Sequence, residues 1–226
     1  MPLPKIEVPK YELTMPSTGE LVKYRPFLVR EEKILLLAME SEDEGQMIDA
    51  IQNIIKNCLY NEVDVATMAM FDVEFIFLQL RAKSKGEEID LSFECEKCKN
   101  SIPLKINLND VKVQQNEKHS KKISLTDDIG VVLKYPSMAL QKVIKDTDAS
   151  EVTTIFETII SCIDHIWDKE TVYSSKDHTP EELTEFIESL PDNAFTKLQQ
   201  FFDTLPVLKH DVTIKCHARI GKGKNK

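Results

Sequence analysis

The hydrophobic period of the chain changes at Gly86, and this change constrains the fold more than any other feature. Before Gly86, apolar residues between positions 47 and 59 recur at the three- and four-residue spacing of an amphipathic helix. After it, Ile89, Leu91 and Phe93 alternate with polar residues, and a second alternating run covers residues 102–108. The sequence therefore predicts an α+β fold, in which a short, mostly antiparallel sheet with a CxxC-tipped β-hairpin packs against a helical lobe.

The same patterns divide the chain into four segments. Residues 1–85 are predicted to hold an N-terminal hairpin and helices, and residues 86–135 to be rich in strands and to carry the CxxC hairpin. Residues 136–216 are predicted to hold further helices and a returning strand, and residues 217–226 to be a disordered basic tail. We expect the first three segments to form one compact unit, which 226 residues are enough to build.

Four local predictions follow from residue patterns. Residues 64–83 contain neither glycine nor proline and are predicted to form one helix, with Asp64 capping its start. An apolar stripe predicts another helix over residues 152–163. Thr179 and Glu182 on either side of a Pro-Glu pair form a capping-box signature. Alternation at Val212 and Ile214 predicts a final strand over residues 207–216.

A possible metal site is the most specific chemical feature of the sequence. Cys95 and Cys98 are spaced as one half of a tetrahedral zinc site, and Cys216 with His217 could supply the other half. The second half is irregular, because Arg219 stands where a second CxxC would place its last cysteine. Unliganded reduced thiols and a redox dithiol are the two other interpretations. A nucleophilic CxxC usually begins a helix, whereas this one lies between two strands.

Composition excludes several functions. A formal net charge of -9 argues against nucleic-acid binding, which needs clustered lysine and arginine. The chain lacks a secretory signal pattern and an apolar run of about 20 residues, so we expect neither export nor stable membrane insertion. Five cysteines are an odd number, which does not fit a disulfide framework and favours a reducing cytoplasm. The five histidines match no hydrolase or metalloprotease motif, and no glycine-rich phosphate loop is present, so no enzyme activity is predicted.

Several long motifs resemble the base plate protein family of T-even-type tailed bacteriophages, which includes baseplate hub assembly proteins. The resemblance begins in residues 24–33 and 38–41, where an arginine lies between two aromatic residues and is followed by an amphipathic helix. It extends over residues 8–216 and includes the CxxC. The other matching motifs are Phe71-Asp72-Val73-Glu74, Arg81-Ala82-Lys83-Ser84-Lys85-Gly86, Leu125-Thr126-Asp127-Asp128-Ile129-Gly130 and Lys134-Tyr135-Pro136.

The resemblance implies a structural or assembly protein of the central hub of a contractile-tail baseplate, which acts through contacts with other hub proteins. It implies assembly in the host cytoplasm and a final location in the virion baseplate. Tyr24, Arg25 and Phe27 are the predicted partner-binding residues, although packing within the chain would explain them equally well. Family members often end in a second CxxC and a hydrophobic tail, from which residues 216–226 depart.

The sequence is also compatible with two other functions. One is a dedicated hub-assembly chaperone that is not retained in the virion. The other is a zinc- or thiol-dependent enzyme that uses Cys95 and Cys98.

Overall fold

A computed structural model describes residues 6–140 and 150–216, which form helices and short strands. The principal helices are α1 (Val29–Glu40), α2 (Glu44–Cys58), α3 (Met70–Lys85), α4 (Glu151–Cys162), α5 (Pro180–Glu188) and α6 (Asp192–Asp203). The strands are β1 (Tyr11–Thr14), β2 (Leu21–Tyr24), β3 (Glu88–Glu94), β4 (Ser101–Asn107), β5 (Lys112–Gln114), β6 (Lys122–Ser124), β7 (Gly130–Leu133), β8 (Ile163–Trp167), β9 (Val172–Ser174) and β10 (Val207–Lys209). The predicted α+β class is confirmed.

Every strand pairing within the described residues is antiparallel. Three sheets have two strands each, β1 with β2, β3 with β4, and β5 with β10. The fourth sheet contains β6, β7, β8 and β9 in that order.

The first hydrophobic core lies between the N-terminal hairpin and helices α2 and α3. The apolar stripe of α2 enters this core, and Ile54 and Ile55 are completely buried. Asp43 begins α2 as its N-cap, since its carboxylate accepts a hydrogen bond from the Gln46 amide at 3.0 Å. The core also includes Met138, so it draws on residues from both sides of the predicted boundaries at 85 and 135. The four-segment division itself stays a prediction.

The second core lies between the four-stranded sheet and helices α4, α5 and α6. Val131 and Leu133 of the sheet, Ile159 of α4 and Leu198 of α6 are all almost fully buried. Helix α5 begins at the predicted capping box, in which Thr179 and Glu182 exchange hydrogen bonds between side chain and backbone. This core therefore forms from the last part of residues 86–135 together with the C-terminal helices.

Tyr135 connects the two cores through its ring. It makes an edge contact with Phe71 of α3 at a centroid distance of 4.9 Å and stacks with Phe201 of α6 at 6.2 Å. The ring of His119 contacts both Tyr135, at 5.6 Å, and Phe201, at 4.9 Å, and the Lys121 ammonium lies 4.1 Å from the centre of the Tyr135 ring. An aromatic cluster thus joins the two halves of the molecule.

Three local predictions differ from the structure. Asp64 caps a short 3-10 turn over Val65–Thr67 by accepting from the Ala66 amide, and the α-helix begins only at Met70. The helix predicted over residues 152–163 ends at Cys162, because Ile163 starts a strand that pairs with β7. The final strand covers only residues 207–209, since the pairing with β5 ends at Lys209. In the last two cases the antiparallel pairing of the strand decided the boundary.

Candidate metal centre

The CxxC motif lies in the turn between β3 and β4. These strands pair along their whole lengths, from Glu88 with Asn107 to Glu94 with Ser101, and form a two-stranded ribbon. Residues 95–100 connect the last pair and carry both cysteines. The alternating apolar residues of the two strands fix the register, so the sequence pattern places Cys95 and Cys98 at one end of the ribbon.

Backbone hydrogen bonds hold the turn in shape. The Cys95 amide donates to the Asn100 carbonyl at 2.9 Å, and the Lys99 amide donates to the Cys95 carbonyl at 2.8 Å. Lys99 adopts a left-handed conformation with φ of 60°, which turns the chain directly after Cys98. The two thiols are therefore presented by a backbone whose conformation is already defined.

The turn also favours ionisation of one thiol. The backbone N–H groups of Cys98 and Lys97 and the thiol of Cys98 lower the pKa of Cys95 to about 7. For Cys98, the Asn100 amide would lower the pKa, but the neighbouring sulfur atoms of Cys216 and Cys95 raise it on balance. Because the thiolate is the form that binds a metal, hydrogen bonds from amides to sulfur favour a metal-ligating state.

The chain after β10 brings a third cysteine to this turn. The sulfur atoms of Cys98 and Cys216 are 3.4 Å apart, and the sulfur atoms of Cys95, Cys98 and Cys216 all lie within 4.8 Å of one another. A disulfide requires about 2.05 Å, so these thiols are not bonded. Zinc–sulfur bonds of about 2.3 Å in a tetrahedron place sulfur atoms roughly 3.8 Å apart. The observed cluster is close to that arrangement.

The cluster contains three of the four predicted ligands. Within residues 6–140 and 150–216, the group of potential ligands consists of these three cysteines. His217, the fourth predicted ligand, and Arg219 lie outside the described residues. Three thiolates at this spacing can hold a soft or borderline divalent cation, and zinc is the metal that such a donor set favours.

The two other described cysteines do not belong to the site. Cys58 lies in the first core and Cys162 in the second, and both are almost fully buried. Burial raises the pKa of Cys58 to about 11 and the pKa of Cys162 to about 12. Neither thiol is ionised near neutral pH, so neither is a candidate nucleophile.

The three predicted partner-binding residues make contacts within the chain. Tyr24 is 2% exposed and packs against Tyr11 at a ring distance of 5.6 Å. Arg25 is 8% exposed. Phe27 is half-buried, stacks with Phe77 at 6.1 Å, and its amide donates to the Ser84 hydroxyl at 2.8 Å. These contacts fit the packing interpretation, and a role in partner binding stays a prediction.

Arg25 forms a buried ion pair with Glu31 of α1. Its guanidinium donates to both carboxylate oxygens, at 3.0 Å and 3.3 Å, and to the carbonyls of Pro26 and Asn57. The Glu31 side chain has no exposed surface and also accepts from the Leu28 amide at 2.7 Å and from Arg30 at 2.6 Å. The pair joins the start of α1 to the end of α2. Sequence reasoning missed Glu31, although a glutamate at the third position of a helix is a recognised capping signal.

Acid is expected to weaken this ion pair. Burial alone would raise the pKa of Glu31, but hydrogen bonds from Arg25, the Leu28 amide and Arg30 outweigh it and lower the pKa to about 2. The folded pKa lies below the unfolded value of 4.5, so the stabilisation is present above pH 4.5 and is lost as the pH falls toward 2. We expect this group to account for about 3 kcal/mol of the free energy of unfolding lost over that range.

Denaturant unfolding between pH 6 and pH 2.5 measures this loss. Glu31→Gln should be less stable at pH 6 and should lack the corresponding part of the acid dependence. Glu32→Gln, one position further along α1, should keep the wild-type dependence. An unchanged acid dependence in Glu31→Gln would contradict the assignment.

The fold and the thiol cluster together define a class of protein. This is an α+β protein with a candidate structural metal centre, and none of the helices in the described part of the chain combines the length and the apolar character that a membrane span needs. The family model described as T4 bacteriophage base plate protein matches residues 8–221, nearly the whole chain. The chain belongs to this family, which confirms the resemblance seen in its motifs. No curated protein and no solved structure matches the chain significantly.

Family membership supports a structural, non-enzymatic role in a phage tail baseplate, in contact with other baseplate proteins. The family match over residues 8–221 includes Cys95, Cys98 and Cys216.

Proposed function

We propose that the protein is a component of the central baseplate hub and acts through protein–protein contacts, without catalysis. The observation that carries this proposal is the outer surface of α1. Four apolar side chains on this helix are largely exposed, although its other side packs against the first core: Val29 (82%), Leu36 (52%), Leu37 (55%) and Met39 (58%). Exposed apolar side chains grouped on one element are typical of a protein-binding surface.

The position of α1 explains why these side chains face outward. Glu31 and Ala38 are seven residues apart and are the buried positions of the helix, while Ile34 and Leu35 pack partly against the first core. Val29 and Leu36 share a second spacing of seven residues and lie on the outer side. The Arg25–Glu31 ion pair anchors the start of the helix. Arg25 is therefore a positioning residue for the outer surface of α1.

Substitution of this surface tests the proposal. The double variant Leu36→Lys, Leu37→Lys is expected to keep the unfolding free energy within about 0.5 kcal/mol of wild type, because both side chains are exposed and lysine has a helix propensity near that of leucine. Its incorporation into baseplates, measured in phage-infected cells that express only the variant, should fall by about tenfold or more.

Val172→Lys is the matched control for this test. Val172 is 64% exposed and lies on β9 in the four-stranded sheet, so the change adds a charge without touching α1. It should leave incorporation unchanged. Normal incorporation of the α1 double variant would contradict the proposed surface.

The proposal has two forms. In the first, the protein is a hub subunit that stays in the virion; in the second, it is a transient assembly chaperone. Both would use the outer surface of α1 in the host cytoplasm during assembly. Mass spectrometry of purified virions distinguishes them, since a subunit stays in the tail baseplate and a chaperone does not. A pull-down from infected cells would identify which hub proteins are the partners.

We also propose that Cys95, Cys98 and Cys216 bind one structural zinc ion. The sulfur separations and the amide hydrogen bonds to sulfur support this assignment. His217 is the proposed fourth ligand. Zinc would supply no redox chemistry here and would stabilise the fold by joining remote parts of the chain.

A further inference from the structure

The β3–β4 ribbon has one apolar face that belongs to neither core. The register pairs Ile89 with Ile106, Leu91 with Leu104, and Phe93 with Ile102, so all six side chains lie on the same face. Among the described residues, neither hydrophobic core contains any of the six. Leu91 and Phe93 are 38% and 44% exposed. The ribbon therefore receives little support from the packing of the two cores.

One end of the ribbon is anchored to the body of the protein. Leu108 directly follows β4, is 3% exposed, and its amide donates to the Glu87 carbonyl at 2.7 Å. The short helical turn Leu108–Asp110 packs against α3. A two-stranded ribbon anchored at one end only is marginally stable in water. The other end, which carries Cys95 and Cys98, thus needs a second attachment.

The chain before Cys216 provides this attachment. Lys209 pairs with Lys112 of β5, five residues after the anchored end of β4, and Cys216 contacts Cys98 at the opposite end. The seven steps from Lys209 to Cys216 reach at most about 25 Å. The seven residues of β4 have a length of roughly 23 Å. A segment of this length can reach from the end of β10 along the ribbon to Cys98.

We infer that zinc at the three thiols acts as a clamp, which orders the ribbon and residues 207–216 as one local unit. The inference rests on the zinc binding proposed above. The ion would close a loop between positions 98 and 216, which are 118 residues apart, and so remove much of the freedom of both ends. The two cores contain none of the three ligands, so we expect them to fold without the ion.

Amide hydrogen exchange on the full-length chain, with zinc and after removal of zinc by a chelator, tests the clamp. Without zinc, exchange in residues 88–107 and 207–216 should accelerate at least tenfold. Exchange in α2, α3 and α6 should stay within about twofold. Zinc should restore the slow exchange, and Mg²⁺ should not, because it prefers oxygen ligands.

Two variants separate the clamp from general effects of cysteine loss. Cys216→Ser should behave in the presence of zinc like the zinc-free wild type, with fast exchange in both segments. Cys58→Ala removes a cysteine from the first core and leaves the cluster intact, so its response to zinc should be that of wild type.

The outcomes are distinguishable. Elemental analysis that finds no zinc in the zinc-treated chain overturns the zinc proposal and the clamp with it. One zinc per chain with unchanged exchange overturns the clamp alone. Loss of protection throughout α2, α3 and α6 on zinc removal also overturns the clamp, because the ion would then be required by the whole fold.

Discussion

Arg25→Ala is expected to lower the free energy of unfolding by about 3–5 kcal/mol and the melting temperature by roughly 10 °C. The substitution leaves the fully buried carboxylate of Glu31 without its bidentate partner. It also leaves the carbonyls of Pro26 and Asn57 without their guanidinium donor. An uncompensated buried charge is among the largest effects that a single substitution can cause. Thermal and denaturant unfolding of the purified variant measure it.

Arg30→Ala is the control for this prediction. Arg30 also contacts Glu31, but its side chain is 67% exposed, so its loss should cost less than about 1 kcal/mol. The double variant Arg25→Met, Glu31→Leu should recover part of the lost stability, because no unpaired charge is left in the interior. The recovery should be incomplete, because the Leu28 amide loses its hydrogen-bond acceptor. A cost below 1 kcal/mol for Arg25→Ala would contradict the buried ion pair.

Baseplate incorporation of Arg25→Ala, measured at a temperature where the variant is folded, tests the predicted role of Arg25 in partner binding.

Phe201→Ala is expected to cost about 3–5 kcal/mol. Phe201 is 3% exposed in the second core, and its ring contacts His119 at 4.9 Å and Tyr135 at 6.2 Å. The substitution leaves a cavity beside the aromatic cluster that joins the two cores, and neighbours in a packed interior collapse into such a space only partly. Denaturant unfolding followed by tryptophan fluorescence measures the loss, since Trp167 lies in the four-stranded sheet.

The neighbouring phenylalanine provides the comparison. Phe202 is only partly buried and meets Phe201 edge to face at 5.1 Å. Phe202→Ala should therefore cost about half as much or less, because less apolar area leaves water when this ring packs. Equal losses in the two variants would show that burial in the second core does not distinguish the two positions.

Local patterns predicted much of the fold. The two alternating runs after Gly86 predicted the pairing of β3 with β4, and the capping box at Thr179 predicted the start of α5. Both signals are contained in short continuous stretches of sequence, so they can be recognised without knowledge of the tertiary contacts. The cluster of Cys95, Cys98 and Cys216 was also predicted, because the residue types indicate a shared ligand role even 118 residues apart.

Other features depend on contacts that a local pattern does not contain. Ile163 continues the apolar stripe of α4, yet it begins a strand because β7 offers a backbone partner. Gly130 begins β7, where a Cβ atom would lie only 2.3 Å from the Trp167 ring, and no local pattern indicates this close approach. Glu31 has the sequence pattern of a helix-start residue on a polar surface, and only the fold shows that Arg25 meets it in the interior.

The distance in sequence between Cys98 and Cys216 has a consequence for synthesis of the chain. The ribosome makes the turn with its two thiols first and must add a further 118 residues before the third cysteine is available. At about 5–20 residues per second, this delay is on the order of ten seconds. During that interval Cys95 and Cys98 lack their third partner, so the cluster forms intact only if both thiols escape oxidation and competing soft metals until Cys216 has been added.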